Sequence, residues 1–392
     1  MDPRQNPFAP GAGTPPPELA GRSLVLERAA IALDRIRSGR AAQSLVFYGL
    51  RGVGKTVLLN QIRRDGEARG LTGVWIETPE DRNLPEVLVP ALRSALIKLS
   101  RGEAAKASIS RALRALAAFA RTFKVTYNDV EFGMGAEPGL ADSGDLDTDL
   151  ADLIGIVGEA ARDRSTAVVL YIDEIQYVQE PQLAAVIMAI HAAGQAQLPV
   201  TAVAAGLPQI LGKMGRAKSY AERLFEFISI DRLDPDSARQ ALRSPIERAH
   251  ALIDEDALEE IVAQTQSYPY FLQKWGQQAW DVAEESPIRL GDVRQASSLA
   301  IADLDASFFR VRFDRLTPRE KLYMQAMGDL GPGPHRSGDI AKRLGRPVTS
   351  EAPTRMNLIA KGMIYSPAHG DNAFTVPLFD AYMRRIMPMW EV

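Results

Sequence analysis

Residues Ser44 to Asn60 read Ser-Leu-Val-Phe-Tyr-Gly-Leu-Arg-Gly-Val-Gly-Lys-Thr-Val-Leu-Leu-Asn, and the fold turns on this stretch. The apolar run Leu45 to Tyr48 has the composition of a buried strand. A glycine-rich turn follows from Gly49 to Thr56, and a helical spacing begins at once through Val57, Leu58, Leu59 and Ile62. Glycine at 49, 52 and 54 lets the main chain curl with successive N–H groups turned inward, where a Cβ would intrude; this makes a cradle for a polyphosphate. Gly49, Arg51, Gly52, Val53, Gly54, Lys55, Thr56 and Val57 are assigned to that cradle. Lys55 supplies a cation for the outer phosphates, Thr56 offers a hydroxyl to Mg2+, and the positive end of the new helix faces the anion.

Working outward, Ala167 to Ile172 is a second uninterrupted apolar run, and it ends in Asp173-Glu174. Such a run indicates a parallel strand covered on both faces, with the acids where it leaves the sheet. In that place Asp173 would hold Mg2+ and Glu174 would polarise an attacking water. The bland reading, two acids capping a short turn at Ile175 to Tyr177, is outweighed by the phosphate loop upstream. Gly73 to Glu77 and Leu198 to Ala205 read as further strands, with a helix at Leu84 to Leu99 and an alanine-rich one at Arg101 to Arg121. The tip Ala204-Ala205-Gly206 carries no polar side chain; Thr201 and Gln209 are the nearest. The expected class is α/β, a parallel sheet flanked by helices.

Residues 1–18 contain six prolines and few large apolar groups, the composition of a disordered arm. A helix is expected over Leu19 to Arg37, a hairpin about residues 122–136 around Asn128-Asp129, and a solvated loop leading into a helix near Asp142 to Asp152. The nucleotide core would then span 19–232, an all-helical lid 233–304 and a winged helix-turn-helix 305–392. In the last, Thr317-Pro318-Arg319-Glu320 has the form of a capping box. The third helix of that module, Ser350 to Gly362, would present Thr354, Arg355, Asn357 and Lys361 to double-stranded DNA.

The chain has 392 residues, 46% of them hydrophobic, enough for two or three cores. No apolar run has the length of a membrane span, no secretory layout opens the chain, and there is no cysteine, so the expected setting is the cytoplasm. The four histidines (His191, His250, His335, His369) have no metal-site spacing. Net charge is -3, but from Arg310 to Val392 the balance is +5, leaving -8 for the rest, so a polyanion would be met at the C-terminal end.

Gly49 to Thr56, Ile172-Asp173-Glu174-Ile175-Gln176, Glu222-Arg223-Leu224-Phe225 and Tyr268-Pro269 occur in the order of AAA+ ATPases. The chain most resembles the bacterial and archaeal group that is similar to origin-recognition and cell-division-control initiator ATPases. The resemblance covers Leu19 to Arg385 and implies a helical lid and a winged helix after the core, with ATP and Mg2+ as ligands. It implies that Arg223 acts as an arginine finger toward a neighbouring subunit or partner ATPase, that Pro269 touches the base, and that Arg239 or Arg243 senses nucleotide. Two departures stand out: Ser267 replaces a glycine, and the strand-tip sensor is missing. The resulting expectation is a slow ATP hydrolase that works as a nucleotide-driven switch and contacts DNA. The alternative is an ATP-holding scaffold whose C-terminal module binds protein. No guanine-reading motif occurs, which points to adenine.

Overall fold

Three apolar runs that cannot turn a face to water lie side by side in one sheet. The computed structural model describes residues 1–11, 13–78, 80, 82–100, 106–125 and 138–387. They divide into two compact units, one of 23–48 and 55–229, the other of 1–22, 49–54 and 230–392. The first contains α1 (Ser23–Arg37), β1 (Ser44–Tyr48), α2 (Lys55–Ala68), β2 (Thr72–Glu77), α3 (Leu84–Leu99), α4 (Lys106–Thr122) and α5 (Leu146–Asp163). These are followed by β3 (Val168–Asp173), α6 (Glu180–Gln195), β4 (Val200–Gly206), α7 (Ile210–Ala217), α8 (Ala221–Leu224) and β5 (Phe225–Ser229).

The strand order is β2-β3-β4-β1-β5, and every pairing is parallel. β3 and β4 are buried along their whole length, which is why their sequences lack the alternation of a half-exposed strand. Leu92, Leu96, Phe119, Leu153, Val157 and Ile187 fill the core against the sheet. Asp145 caps α5 by accepting from the Thr148 N–H at 2.8 Å, so the acidic stretch does lead into a helix N-terminus. On α2, a Cβ at Gly66 would lie 2.7 Å from the Tyr171 hydroxyl, so a glycine is required there. The hairpin expected around residues 128 and 129 lies outside the described residues.

The second unit contains α9 (Pro235–Arg248), α10 (Glu255–Thr265), α11 (Pro269–Val282), α12 (Leu290–Leu304) and α13 (Arg310–Asp314), the last two joined by a π turn at Asp305–Phe309. Then come α14 (Pro318–Asp329), β6 (His335–Arg336), α15 (Ser337–Arg343), α16 (Val348–Ala360), β7 (Ile364–Tyr365), β8 (Asp371–Phe374) and α17 (Phe379–Ile386). The three short strands form an antiparallel sheet in the order β6-β8-β7. The capping box opens α14 as expected: Thr317 accepts from the Glu320 N–H, and the Glu320 carboxylate accepts from the Thr317 N–H. The helical segment and this C-terminal module share one apolar cluster, bridged by Phe309, which stacks on Tyr382 at 5.1 Å and meets Phe379 at 5.7 Å. Shared aromatic packing makes them one body.

The segment expected to be a disordered arm belongs to this body. Phe8 is 3% exposed, its ring filling the space where a Cβ on Gly276 would come within 2.9 Å. Trp280 Nε1 donates to the Asp2 carbonyl at 3.0 Å, and Asn6 Nδ2 donates to the Gln277 carbonyl at 3.0 Å. The proline content hid one aromatic anchor: burial of a single phenylalanine with matched hydrogen bonds suffices to hold a short segment. Phe8→Ala should lower stability by roughly 3 kcal/mol in chemical denaturation; an arm with no docking role would leave the midpoint where it is.

Candidate functional site

β3 delivers two acids to the edge of the sheet, and its neighbours fix how they stand. Asp173 is 4% exposed and accepts a hydrogen bond from the Thr56 hydroxyl at the start of α2. Lys55, itself 8% exposed, acts on the same carboxyl electrostatically. Burial dominates and pushes the Asp173 carboxyl above its ordinary range, against the pull of Thr56 and Lys55 and with a further push from Glu174. The chain turns sharply at Glu174, a non-glycine residue at φ 52° and ψ 35°. Such left-handed geometry costs about 1–3 kcal/mol and is held here by surrounding bonds. The Glu174 N–H donates to Asp173 Oδ1 at 2.9 Å, and Thr78 Oγ1, just beyond β2, donates to the carbonyls of Asp173 at 2.9 Å and Glu174 at 2.7 Å.

A residue not anticipated from sequence, Gln176, completes the turn. Its Nε2 donates to Glu174 Oε2, and its Oε1 accepts from the Leu207 N–H at 2.9 Å. Thr201, the polar residue weighed in β4, is bonded to Ser44 Oγ at 3.0 Å at the other end of the strands and cannot serve the tip. The signal for Gln176 was present in the quoted Ile-Asp-Glu-Ile-Gln run but had no assigned role.

The loop 49–54 belongs to the second unit. Gly52 and Gly54 have φ of +82° and +89°, and a Cβ on Gly49 would fall 1.9 Å from the Ile230 carbonyl oxygen, so the three glycines have distinct physical reasons. The Arg51 N–H donates to the Thr375 carbonyl at 2.9 Å, the Tyr270 N–H donates to the Gly52 carbonyl at 3.1 Å, and Arg22 Nη2 donates to the Val53 carbonyl at 3.2 Å. Both α11 and the strand end of the C-terminal module therefore hold the loop main chain. Pro269 occupies the first position of α11, half-buried after Gln266 and Ser267, which both have positive φ. Ser267 thus takes a left-handed backbone of the kind that favours glycine.

Arg223 is exposed, and Glu226, one acid that could have neutralised it, is taken by Arg28 at 3.0 Å. Arg239 is bound to Asp236 on its own helix and to Glu259 on α10, and Arg243 to Glu255 on α10, so both of the nucleotide-sensing candidates are engaged by carboxylates of α9 and α10.

The four residues assigned to DNA reading stand in different surroundings on α16. Thr354 is 5% exposed, Arg355 donates to Asn372 Oδ1 and Ser366 Oγ, and Lys361 donates to Glu320 at 2.7 Å; of the four residues, only Asn357 is fully exposed. The outer face of the helix instead presents Met356, 67% exposed, and Val348, 47% exposed. Several of the module's basic residues are engaged within it: Arg319 and Arg346 both pair with buried Glu351, and Arg343 pairs with Asp329. The sequence hid this because a buried acid claims its cation through tertiary packing, not through spacing.

A parallel sheet flanked by helices, with a glycine-rich loop between β1 and α2, is the α/β fold class of P-loop NTPases. A family model for the AAA ATPase domain matches residues 18–203, and one for a domain of unknown function, DUF8462, matches residues 306–383. The Walker-type ATPase PABY2304 of Pyrococcus abyssi is similar in structure, with a TM-score of 0.61 at 16% identity over 95% of this chain and 98% of that one. ORC1 of Aeropyrum pernix in complex with DNA gives 0.47 at 13% identity, covering 94% and 93%. The RuvB Holliday junction branch migration motor of Thermotoga maritima gives 0.46 at 14%, covering 95% and 96%. Identities this low speak to fold alone, and the two lower scores carry no further weight. Among curated proteins, none matches by sequence. No helix among the described residues is long and apolar enough to cross a membrane.

Because burial raises the Asp173 pKa, the ionised side chain opposes folding, and stability from this group falls as pH rises through the window above the usual carboxylate value. Asp173→Asn should therefore melt higher than wild type at neutral pH without ligand, by about 2–4 °C for each kcal/mol relieved. In Glu320 burial alone would raise the pKa, yet the bonds from Lys361 and Thr317 hold it below the usual carboxylate range. Its contribution is present above that range and lost as pH falls. Lys361→Ala should cost about 1–2 kcal/mol at pH 7 in urea titrations, and less near pH 4.

Proposed function

We propose that this protein is a Mg2+-ATP-binding ATPase with slow turnover, acting as a nucleotide-driven switch. The observation that carries the reading is the hydrogen bond from half-buried Thr56 to buried Asp173, beside Lys55. Thr56 and Asp173 present the hydroxyl and carboxylate oxygens that a hard cation such as Mg2+ takes, next to the helix start expected to face phosphate. When bound, the cation supplies neutralisation of phosphate charge. Lys55 and the loop N–H groups hold the phosphates, Glu174 orients and polarises the attacking water, and Pro269 contacts the base. Arg223 completes the site of a neighbouring copy or partner ATPase, a role its exposure permits. The main-chain bonds of Arg51 to Thr375 and of Tyr270 to Gly52 support the switch. A loop that tightens around phosphate has to pull on, or let go of, the C-terminal body.

For that body, the exposed apolar face of α16 and the internal pairing of its basic residues favour a protein partner over DNA. DNA affinity that falls steeply with added salt in fluorescence anisotropy would reverse this reading. The central test is nucleotide binding and turnover of the full chain. Lys55→Ala should weaken ATP binding at least about 100-fold, and Glu174→Gln should bind ATP but hydrolyse it roughly 100-fold or more slowly. Arg223→Ala should leave binding intact and remove any rise of specific activity with protein concentration. Tight ATP binding by Lys55→Ala would refute the assignment.

A further inference from the structure

We propose that Gln176 is a positioning residue that aims Glu174 at the water, taking the place of the polar side chain that the tip of β4 lacks. The inference rests on the ATPase reading above. Gln176 is 5% exposed, and both ends of its amide are committed. A main-chain N–H can only donate, so the bond from Leu207 fixes which end of the amide is oxygen. Nε2 is thereby turned toward Glu174, where it donates to Oε2. The backbone of Gln176 is pinned too: its carbonyl accepts from Lys213 Nζ at 2.8 Å.

The strand order gives this clamp a direction. β4 lies between β3 and β1, so a carboxylate anchored at the β4 tip is drawn across the sheet toward the strand that feeds the phosphate loop, away from the β2 edge. Gly206 is the counterpart of this arrangement: a Cβ there would come within 2.8 Å of Gln176 Oε1, so the tip stays bare to admit the neighbouring side chain. The left-handed backbone of Glu174 gives the side chain a fixed origin, and Gln176 fixes its far end. In the reaction served, the water oxygen bonds to the γ-phosphorus as the bond to the β–γ bridging oxygen breaks. ADP leaves with that electron pair, and the water's proton passes to Glu174 and on to phosphate.

The test uses the full chain with Mg2+ and ATP, reading kcat by phosphate release and affinity with a fluorescent ATP analogue. Gln176→Leu should lose roughly 10–100-fold in kcat, the scale of a misaimed catalytic group, with affinity unchanged within about two-fold. In a Glu174→Gln background the same substitution should have no further effect, because Gln176 acts only through Glu174. Gln176→Glu keeps the acceptor for Leu207 but sets a carboxylate against Glu174, and should be similarly slow. Full kcat in either single variant, a second loss of equal size in the double variant, or a parallel loss of ATP affinity would overturn the proposal. Wild-type turnover no greater than that of Lys55→Ala would instead remove the ATPase reading itself, and the inference with it.

Discussion

The hydrogen bond from Thr56 to Asp173 is the constraint on which the site depends. It joins the first turn of α2 to the last residue of β3, a half-buried hydroxyl meeting a carboxyl that is out of water. A buried carboxylate is expensive to ionise, and its neighbours offset only part of that cost. Left without a ligand, such a group opposes stability. That is the expected state of a residue kept for binding a cation, and not for holding the fold together. The strained turn at Glu174 adds a second departure from local preference in the same few residues.

The second unit is organised by aromatic packing instead of a sheet. Phe271, Phe309, Phe379 and Tyr382 run from the helical segment into the C-terminal module without a break, and the π turn at 305–309 places Phe309 among them. The loop 49–54 is bonded to two parts of it, α11 and the end of β8.

The sequence was most informative where physics is local. The uninterrupted apolar runs at 45–48 and 167–172 identified the central strands because only a doubly covered strand tolerates them. Glycines at 52 and 54 and the capping box at Thr317 each encode a backbone geometry directly. What stayed hidden was tertiary. Phe8 anchoring a proline-rich segment, Glu351 claiming Arg319, and Asn372 claiming Arg355 all join residues distant in the chain, with no periodicity to announce them. Gln176 was missed for another reason: it sits inside a recognised motif, and its role appears only once β4 is known to lie beside β3.

The most direct measurement of the account is calorimetric titration of ATP into wild-type protein and into Asp173→Asn, each with Mg2+ and with a chelator present. A buried Asp173 that works with Thr56 on a cation should make wild-type affinity strongly dependent on Mg2+, while the variant binds ATP with the same weak affinity in both conditions. Equal dependence on Mg2+ in the two proteins would contradict it.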